Sequence, residues 1–223
     1  MSKKKTEESF VMQEKIKPKT KGQAEYLRTL VENDVTFVTG DAGTGKSYLA
    51  LGLASEYLLE ARFDKVIIAR PAVEASKKGL GFLPGSLEEK VEPYLEPAVQ
   101  HLKRFLGKDT YSNMIRDERI IFKTLEYMRG HTFDYSFMIL EEAQNCTTEQ
   151  LTMFITRIGI NSKILINGDV DQTDLRNVGD SSDLAYVMSK VEKAGLDKFG
   201  IARLSDLDIV RSPLIAGFLR AMK

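Results

Sequence analysis

The chain contains one cysteine, Cys146, so it can form neither an intramolecular disulfide nor a cysteine-built zinc centre. Its two histidines, His101 and His131, are too few for a histidine-rich metal site. No run of about 18 apolar residues occurs, and no apolar segment follows Lys3, Lys4 and Lys5, so neither a membrane-spanning helix nor a secretory leader is expected. With a reducing environment that would suit Cys146, the expectation is a cytoplasmic protein free of membrane. Net charge is lacking too: 32 basic residues balance 32 acidic ones, so no global field draws the molecule to a polyanion. A nucleic-acid site would have to be a local patch. What is present, 43% hydrophobic and 29% charged residues, is ordinary for a globular chain.

Residues 1–20 are polar and rich in lysine, including Lys15, Lys17 and Lys19 around Pro18, and are expected to form a mobile tail. From residue 21 to residue 223 the pattern fits one α/β domain, with short apolar runs alternating with helical stretches. Strands are expected at Val35–Thr39, Lys65–Ala69, Arg119–Lys123, Phe137–Leu140, Lys163–Asn167 and Phe199–Arg203. Their apolar residues are consecutive rather than alternating, the mark of parallel strands covered on both faces. A three-layer αβα architecture with a mostly parallel sheet follows. Thr147 with Gln150 reads as a capping box, Ser212 with Pro213 as a helix start, and Gly195 as a helix stop. Between about residues 71 and 110, Gly79, Gly81, Pro84, Gly85, Pro93 and Pro97 punctuate the chain, which suggests a loop-and-helix insertion on the ligand side.

The run Gly40-Asp41-Ala42-Gly43-Thr44-Gly45-Lys46-Ser47 matches G-x-x-x-x-G-K-[ST] and lies between the first strand and a long helical pattern beginning KSYLAL. In that setting the glycines let successive backbone N–H groups curl around phosphates, and the helix adds the positive end of its dipole. Lys46 would reach the β- and γ-phosphates, Ser47 would offer its hydroxyl to Mg2+, and the neighbouring Tyr48 would complete the nucleotide-binding segment. A second apolar run, Phe137 to Leu140, ends in Glu141 and Glu142, which puts both carboxylates at the sheet edge where ligands bind. Glu141 would hold the magnesium shell and Glu142 would orient or deprotonate the attacking water. The strand at 163–167 leads into Gly168-Asp169-Val170-Asp171-Gln172 on the same edge, where Gln172 would sense the γ-phosphate. Asp169 and Asp171 also suit an ordinary polar turn.

Together with Ala69-Arg70-Pro71-Ala72-Val73-Glu74-Ala75, Gly81-Phe82-Leu83-Pro84-Gly85 and Thr156-Arg157-Ile158-Gly159, these motifs resemble the PhoH-like family of P-loop ATPases over roughly residues 18–223. The resemblance implies a RecA-like core related to superfamily 1 helicases, ATP hydrolysis with Mg2+, a ring-shaped homo-oligomer (a hexamer), and a role linked to single-stranded RNA or DNA. By position, Gln23 resembles the glutamine that recognises adenine, and Arg70 with Pro71 stands where related helicases contact a nucleic-acid backbone. Arg203 and Arg211 fall in a stretch resembling the family's closing motif, so either is a candidate arginine finger, supplied by a neighbouring subunit if the site needs a second core. One departure is Glu141, where the family's acidic motif usually begins with Asp.

Two other functions fit the same residues: a nucleotide-gated binding module with little turnover, in which Glu141 blunts catalysis, and a small-molecule kinase. A GTPase is disfavoured, since no Asn/Thr-Lys-x-Asp guanine-reading motif occurs. Cys146 reads simply as a small residue leading into a helix.

Overall fold

The computed structural model describes residues 11–71, 87–170 and 183–210. Six strands form one sheet, β1 (Val35–Thr39), β2 (Lys65–Arg70), β3 (Ile120–Thr124), β4 (Ser136–Leu140), β5 (Lys163–Gly168) and β6 (Phe199–Arg203). Their order is β3-β2-β4-β5-β1-β6, and every neighbouring pair is parallel. All six expected strands are found, with ends within one residue of the expected ones.

The consecutive apolar runs have the reason expected of them. Val66 and Ile68 of β2, Phe137 and Ile139 of β4 and Leu165 of β5 pack into one core. Their alternates Ile67, Ala69, Met138, Leu140, Ile164 and Ile166 pack into a second core on the other face. Helices α1 (Lys21–Glu32), α2 (Lys46–Leu59), α3 (Leu87–Leu106) and α4 (Lys108–Arg116) cover the first, and α5 (Thr148–Ile155) and α6 (Asp183–Ala194) cover the second. The fold is therefore the three-layer αβα arrangement of a RecA-like P-loop NTPase.

Local sequence explains the joints. Thr20 caps α1 by accepting the Gln23 N–H at 3.1 Å, and Lys163 of β5 donates its ammonium to the Leu30 carbonyl at 2.9 Å and to that of Asn33. A buried lysine thus satisfies main-chain acceptors at the C-terminal end of α1 and fastens that helix to the sheet. The Thr147–Gln150 capping box forms at the start of α5, and Gly195 adopts a φ of +57° just past α6. The Ser212–Pro213 helix start lies outside the described residues.

The stretch expected as a loop-and-helix insertion includes α3, and Pro93 and Pro97 fall inside that helix. The recurrence of Ala98, Leu102, Phe105 and Leu106 at helical spacing overrides the proline punctuation, since all four are buried. Residues 11–20, expected as part of a tail, lie against the domain: the Gln13 N–H donates to the Phe105 carbonyl at 2.8 Å and Ile16 packs on the first core. Ile16 is the apolar anchor of this strap, and bonds to Gln13 and Glu14 add to its hold on α2 and α3.

Because Phe105 is fully buried between strap and α2, Phe105→Ala is expected to cost about 3–5 kcal/mol of folding free energy. Urea unfolding checks this, and a loss near zero would mean that α3 is no part of the core.

Candidate functional site

The sheet order sets the geometry. β5 lies between β1, which leads into the glycine-rich loop, and β4, which leads into the acidic pair. Three consecutive strands therefore aim their C-terminal ends at one place, the crevice where open α/β sheets bind ligands.

The loop after β1 is shaped by its glycines. Gly40 has a φ of +148°, and a Cβ there would stand 2.5 Å from the Leu204 carbonyl oxygen. Gly45, at a φ of +86°, is the N-cap of α2 and carries no capping side chain, so the first-turn N–H groups stay available to an anion. The loop is braced from outside as well: the Leu204 N–H reaches the Thr39 carbonyl at 2.8 Å and the Val210 N–H reaches the Gly43 carbonyl at 3.1 Å. Gln23 supports it from α1, donating its amide to the Thr44 carbonyl at 2.9 Å and to the Asp208 carbonyl at 3.4 Å.

Lys46 bends over this loop. Its ammonium donates to the Gly40 carbonyl and, at 3.0 Å, to the Asp41 carbonyl. Burial lowers its pKa, and the carboxylates of Asp169, Glu141, Glu142 and Asp41 oppose that shift. Beside it, the Ser47 hydroxyl donates to Glu141 Oε2 at 2.8 Å, and Asn167 Nδ2 reaches Glu141 Oε2 at 2.6 Å and Ser47 Oγ at 2.9 Å. Helix α2 and strands β4 and β5 thus meet at one carboxylate oxygen.

Glu141 is half-buried as a residue, but its carboxyl is withdrawn from water and is pushed up to about 7, first by desolvation and further by the charge of Glu142. Its second oxygen, Oε1, and the Asn167 carbonyl oxygen Oδ1 are buried without a hydrogen-bond partner among the described residues. Two unused hard oxygens beside a serine hydroxyl are the donor set a magnesium ion takes, so the residues present fit that ion.

Glu142 faces elsewhere. It takes the left-handed conformation, φ +57° and ψ +39°, uncommon for a residue with a side chain. The turn directs its carboxylate to Arg70 at the end of β2, 3.3 Å away, while Gln144 Nε2 donates to its other oxygen at 2.6 Å. Gln144 in turn accepts the Asp169 N–H at 3.0 Å, so the segment after β5 is tied to Glu142 through one amide side chain.

These groups surround a cavity of about 580 Å³, large enough for a nucleotide. Of the residues expected from the sequence, Gln23, Ala42, Gly43, Gly45, Lys46, Ser47, Tyr48, Glu141, Glu142 and Asp169 line it. Gly40, Asp41 and Thr44 shape the loop behind it. Arg203 ends β6 beside Thr39, but its guanidinium is paired with Glu192 of α6 at 2.9 and 3.0 Å, and it does not line the cavity. Gln172, Asp171 and Arg211 lie outside the described residues. Sequence reading missed Asn167 and Gln144, and it missed the cavity's far wall, which includes Glu14, His101 and Arg104. A polar residue closing an apolar strand was the one signal for Asn167.

A family model described as PhoH-like protein matches residues 15–223. The chain belongs to the PhoH-like family. A PhoH-like protein of Bacillus subtilis (strain 168) is 44% identical over 206 residues, 92% of this chain and 63% of that protein. One from Synechocystis sp. is 41% identical over 208 residues, 92% of this chain and 62% of the relative. Protein PhoH of Escherichia coli (strain K12) is 36% identical over 208 residues, again 92% of this chain and 58% of that one. This PhoH-like chain thus spans about three fifths of the length of these relatives. Among solved structures, the Sulfolobus solfataricus SWI2/SNF2 ATPase core in complex with dsDNA has a TM-score of 0.51 over 89% of this chain and 46% of that chain. At 14% identity, that is a likeness of fold. No helix among the described residues is long and apolar enough to cross a membrane.

Glu141 supplies a test of its own environment. Its folded pKa of about 7 lies above the ordinary 4.5, so the ligand-free protein holds an extra proton between those values and loses stability as pH rises through them. Glu141→Gln is expected to remove about 3 kcal/mol of that pH dependence, read from urea unfolding at about pH 5 and about pH 8. Identical pH profiles for the two proteins would mean the carboxylate is not desolvated.

Proposed function

We propose that this chain binds ATP with magnesium and hydrolyses it. The observation that carries the reading is the corner where Ser47, Glu141 and Asn167 meet beside Lys46, at the end of three adjacent parallel strands. Lys46 would exchange loop carbonyls for phosphate oxygens, and the loop N–H groups would take the remaining charge. Ser47, Glu141 and Asn167 are the residues that would hold magnesium. Among the described residues no three His, Cys, Asp or Glu side chains gather to hold a metal alone, so the ion relies on water and phosphate oxygens too. When bound, it would neutralise charge on the bridging phosphates. Glu141, where the resemblance implies an Asp, still reaches the Ser47 hydroxyl, at 2.8 Å.

Glu142 is the base in this reading, and it takes a proton from water through an oxygen lone pair. Arg70 and Gln144 each engage one of its oxygens and draw charge from it while leaving a lone pair on each, which supports a resting arrangement of reduced basicity. Arg70 ends β2 at the ligand edge, so an anionic polymer that competes for its guanidinium would free Glu142. That connection supports coupling of hydrolysis to single-stranded RNA or DNA, the role that the PhoH-like resemblance implies. Gln172 would report the γ-phosphate, and a ring of identical subunits would let Arg211 or Arg203 act as a finger in trans. Arg203 must first leave Glu192. The same clamp on Glu142 also favours a second reading, an ATP-gated module with little turnover.

Phosphate release from ATP with magnesium, measured with and without single-stranded RNA or DNA, separates these readings. Lys46→Ala is expected to abolish release, and its failure to do so would sink the phosphate-loop assignment. Glu142→Gln is expected to retain ATP and lose roughly 10²–10⁴-fold in turnover. Arg70→Ala is expected to raise polymer-free turnover and remove stimulation by polymer. Tight ATP binding with no release under any condition favours the gated module.

A further inference from the structure

The cavity has two ends of different chemistry. Lys46, Ser47 and Glu141 form the phosphate end, and the phosphate motifs account for it. The other end is built by Tyr48, His101, Arg104 and Glu14, which come from α2, α3 and the N-terminal strap. No sequence motif accounts for these four together.

They form one connected cluster. The Tyr48 hydroxyl donates to Glu14 Oε1 at 2.8 Å, and the Arg104 guanidinium grips both Glu14 oxygens, with Nη2 at 2.9 Å from Oε1. The same guanidinium lies 5.5 Å from the Tyr48 ring centroid, and the His101 ring meets Tyr48 edge-on at 5.6 Å. Burial and the Arg104 charge lower the His101 pKa, so its imidazole is neutral at pH 7 and presents a flat face rather than a cation. The Arg104–Glu14 pair is largely exposed, so it adds little to stability. Its consequence is positional: it holds a guanidinium plane at the cavity wall.

Gln23, expected to read adenine, lines the same cavity but spends its amide on the loop in the ligand-free chain. It is 3% exposed, its amide N–H groups point at the Thr44 and Asp208 carbonyls, and its oxygen accepts the Lys19 N–H at 2.7 Å. In the ligand-free chain it braces the phosphate loop from the cavity wall, and those bonds would have to open before it could read a base. Tyr48 directly follows Ser47 in the first turn of α2 and lines the same cavity, so its cluster is a wall that the sugar and base of a nucleotide held by its phosphates can reach.

We propose that Tyr48, His101 and Arg104, fixed by Glu14, form the nucleoside subsite, taking the base of a nucleoside triphosphate against the imidazole and guanidinium faces. The subsite prefers purines, because face contact grows with ring area. The assignment rests on the nucleotide-binding reading above.

Binding of ATP, CTP and inorganic tripolyphosphate, each with magnesium, to the full chain tests it. His101→Ala and Arg104→Ala are expected to weaken ATP about tenfold and to narrow its advantage over CTP. Tripolyphosphate affinity should stay within about twofold, which also shows that the variants are folded. Unchanged ATP affinity in both variants, or equal loss of ATP and tripolyphosphate, overturns the subsite. Should the unmodified chain bind none of the three ligands, or Lys46→Ala bind all of them normally, the nucleotide reading itself falls and takes the subsite with it.

Discussion

A carboxylate withdrawn from water has to be held by its neighbours, and Glu141 is held through one oxygen by Ser47 and Asn167. That contact joins the first turn of α2 to the ends of β4 and β5, so the site exists only when all three elements are in register. It also explains why β5 must stand between β1 and β4: from any other place in the sheet Asn167 would not reach both partners. Since a buried charge without compensation costs several kcal/mol, the corner is held ready for a cation at the expense of the empty protein. The next residue is turned away by its left-handed backbone, so two adjacent glutamates serve different surroundings.

Much of this was legible in the sequence because the physics is local. Strands buried on both faces show unbroken apolar runs, and the glycine-rich loop needs its glycines for backbone reasons that read directly from the order of residues. The acidic pair announces itself by ending an apolar strand. Asn167 and Gln144 did not stand out in the same way. A polar residue after an apolar run is ordinary, and only the insertion of β5 between its neighbours gives Asn167 two partners. Likewise Gln144 matters because of Asp169, which belongs to a different strand end. The PhoH-like resemblance supplied the family but not these contacts.

Harder still was the wall furthest from the phosphates. His101 and Arg104 sit on a helix that its prolines disguise, and Glu14 sits on a strap held by Ile16 and by bonds from Gln13 and Glu14 that only the folded chain brings together. Helical spacing of Ala98, Leu102, Phe105 and Leu106 was the available signal, and it competes with Pro93 and Pro97 in the same stretch. Arg203 shows the converse: its place at the sheet edge was readable, whereas its pairing with Glu192 depends on how α6 packs.

The sheet order has a consequence for how the molecule comes into being. β1, which carries the phosphate loop, pairs only with β5 and β6, strands that leave the ribosome long after it. The loop is then closed from behind by Leu204 and Val210. A nascent chain emerging through β4 therefore displays the glycine-rich sequence without the structure that makes it a phosphate cradle. Such distant pairings are slow to form, because the loop-closure entropy comes due before any contact rewards it. Until β5 is in place the apolar β1 has two bare edges, and one of them stays bare until β6 follows, so the interval between its synthesis and its burial is when this chain is most exposed to aggregation.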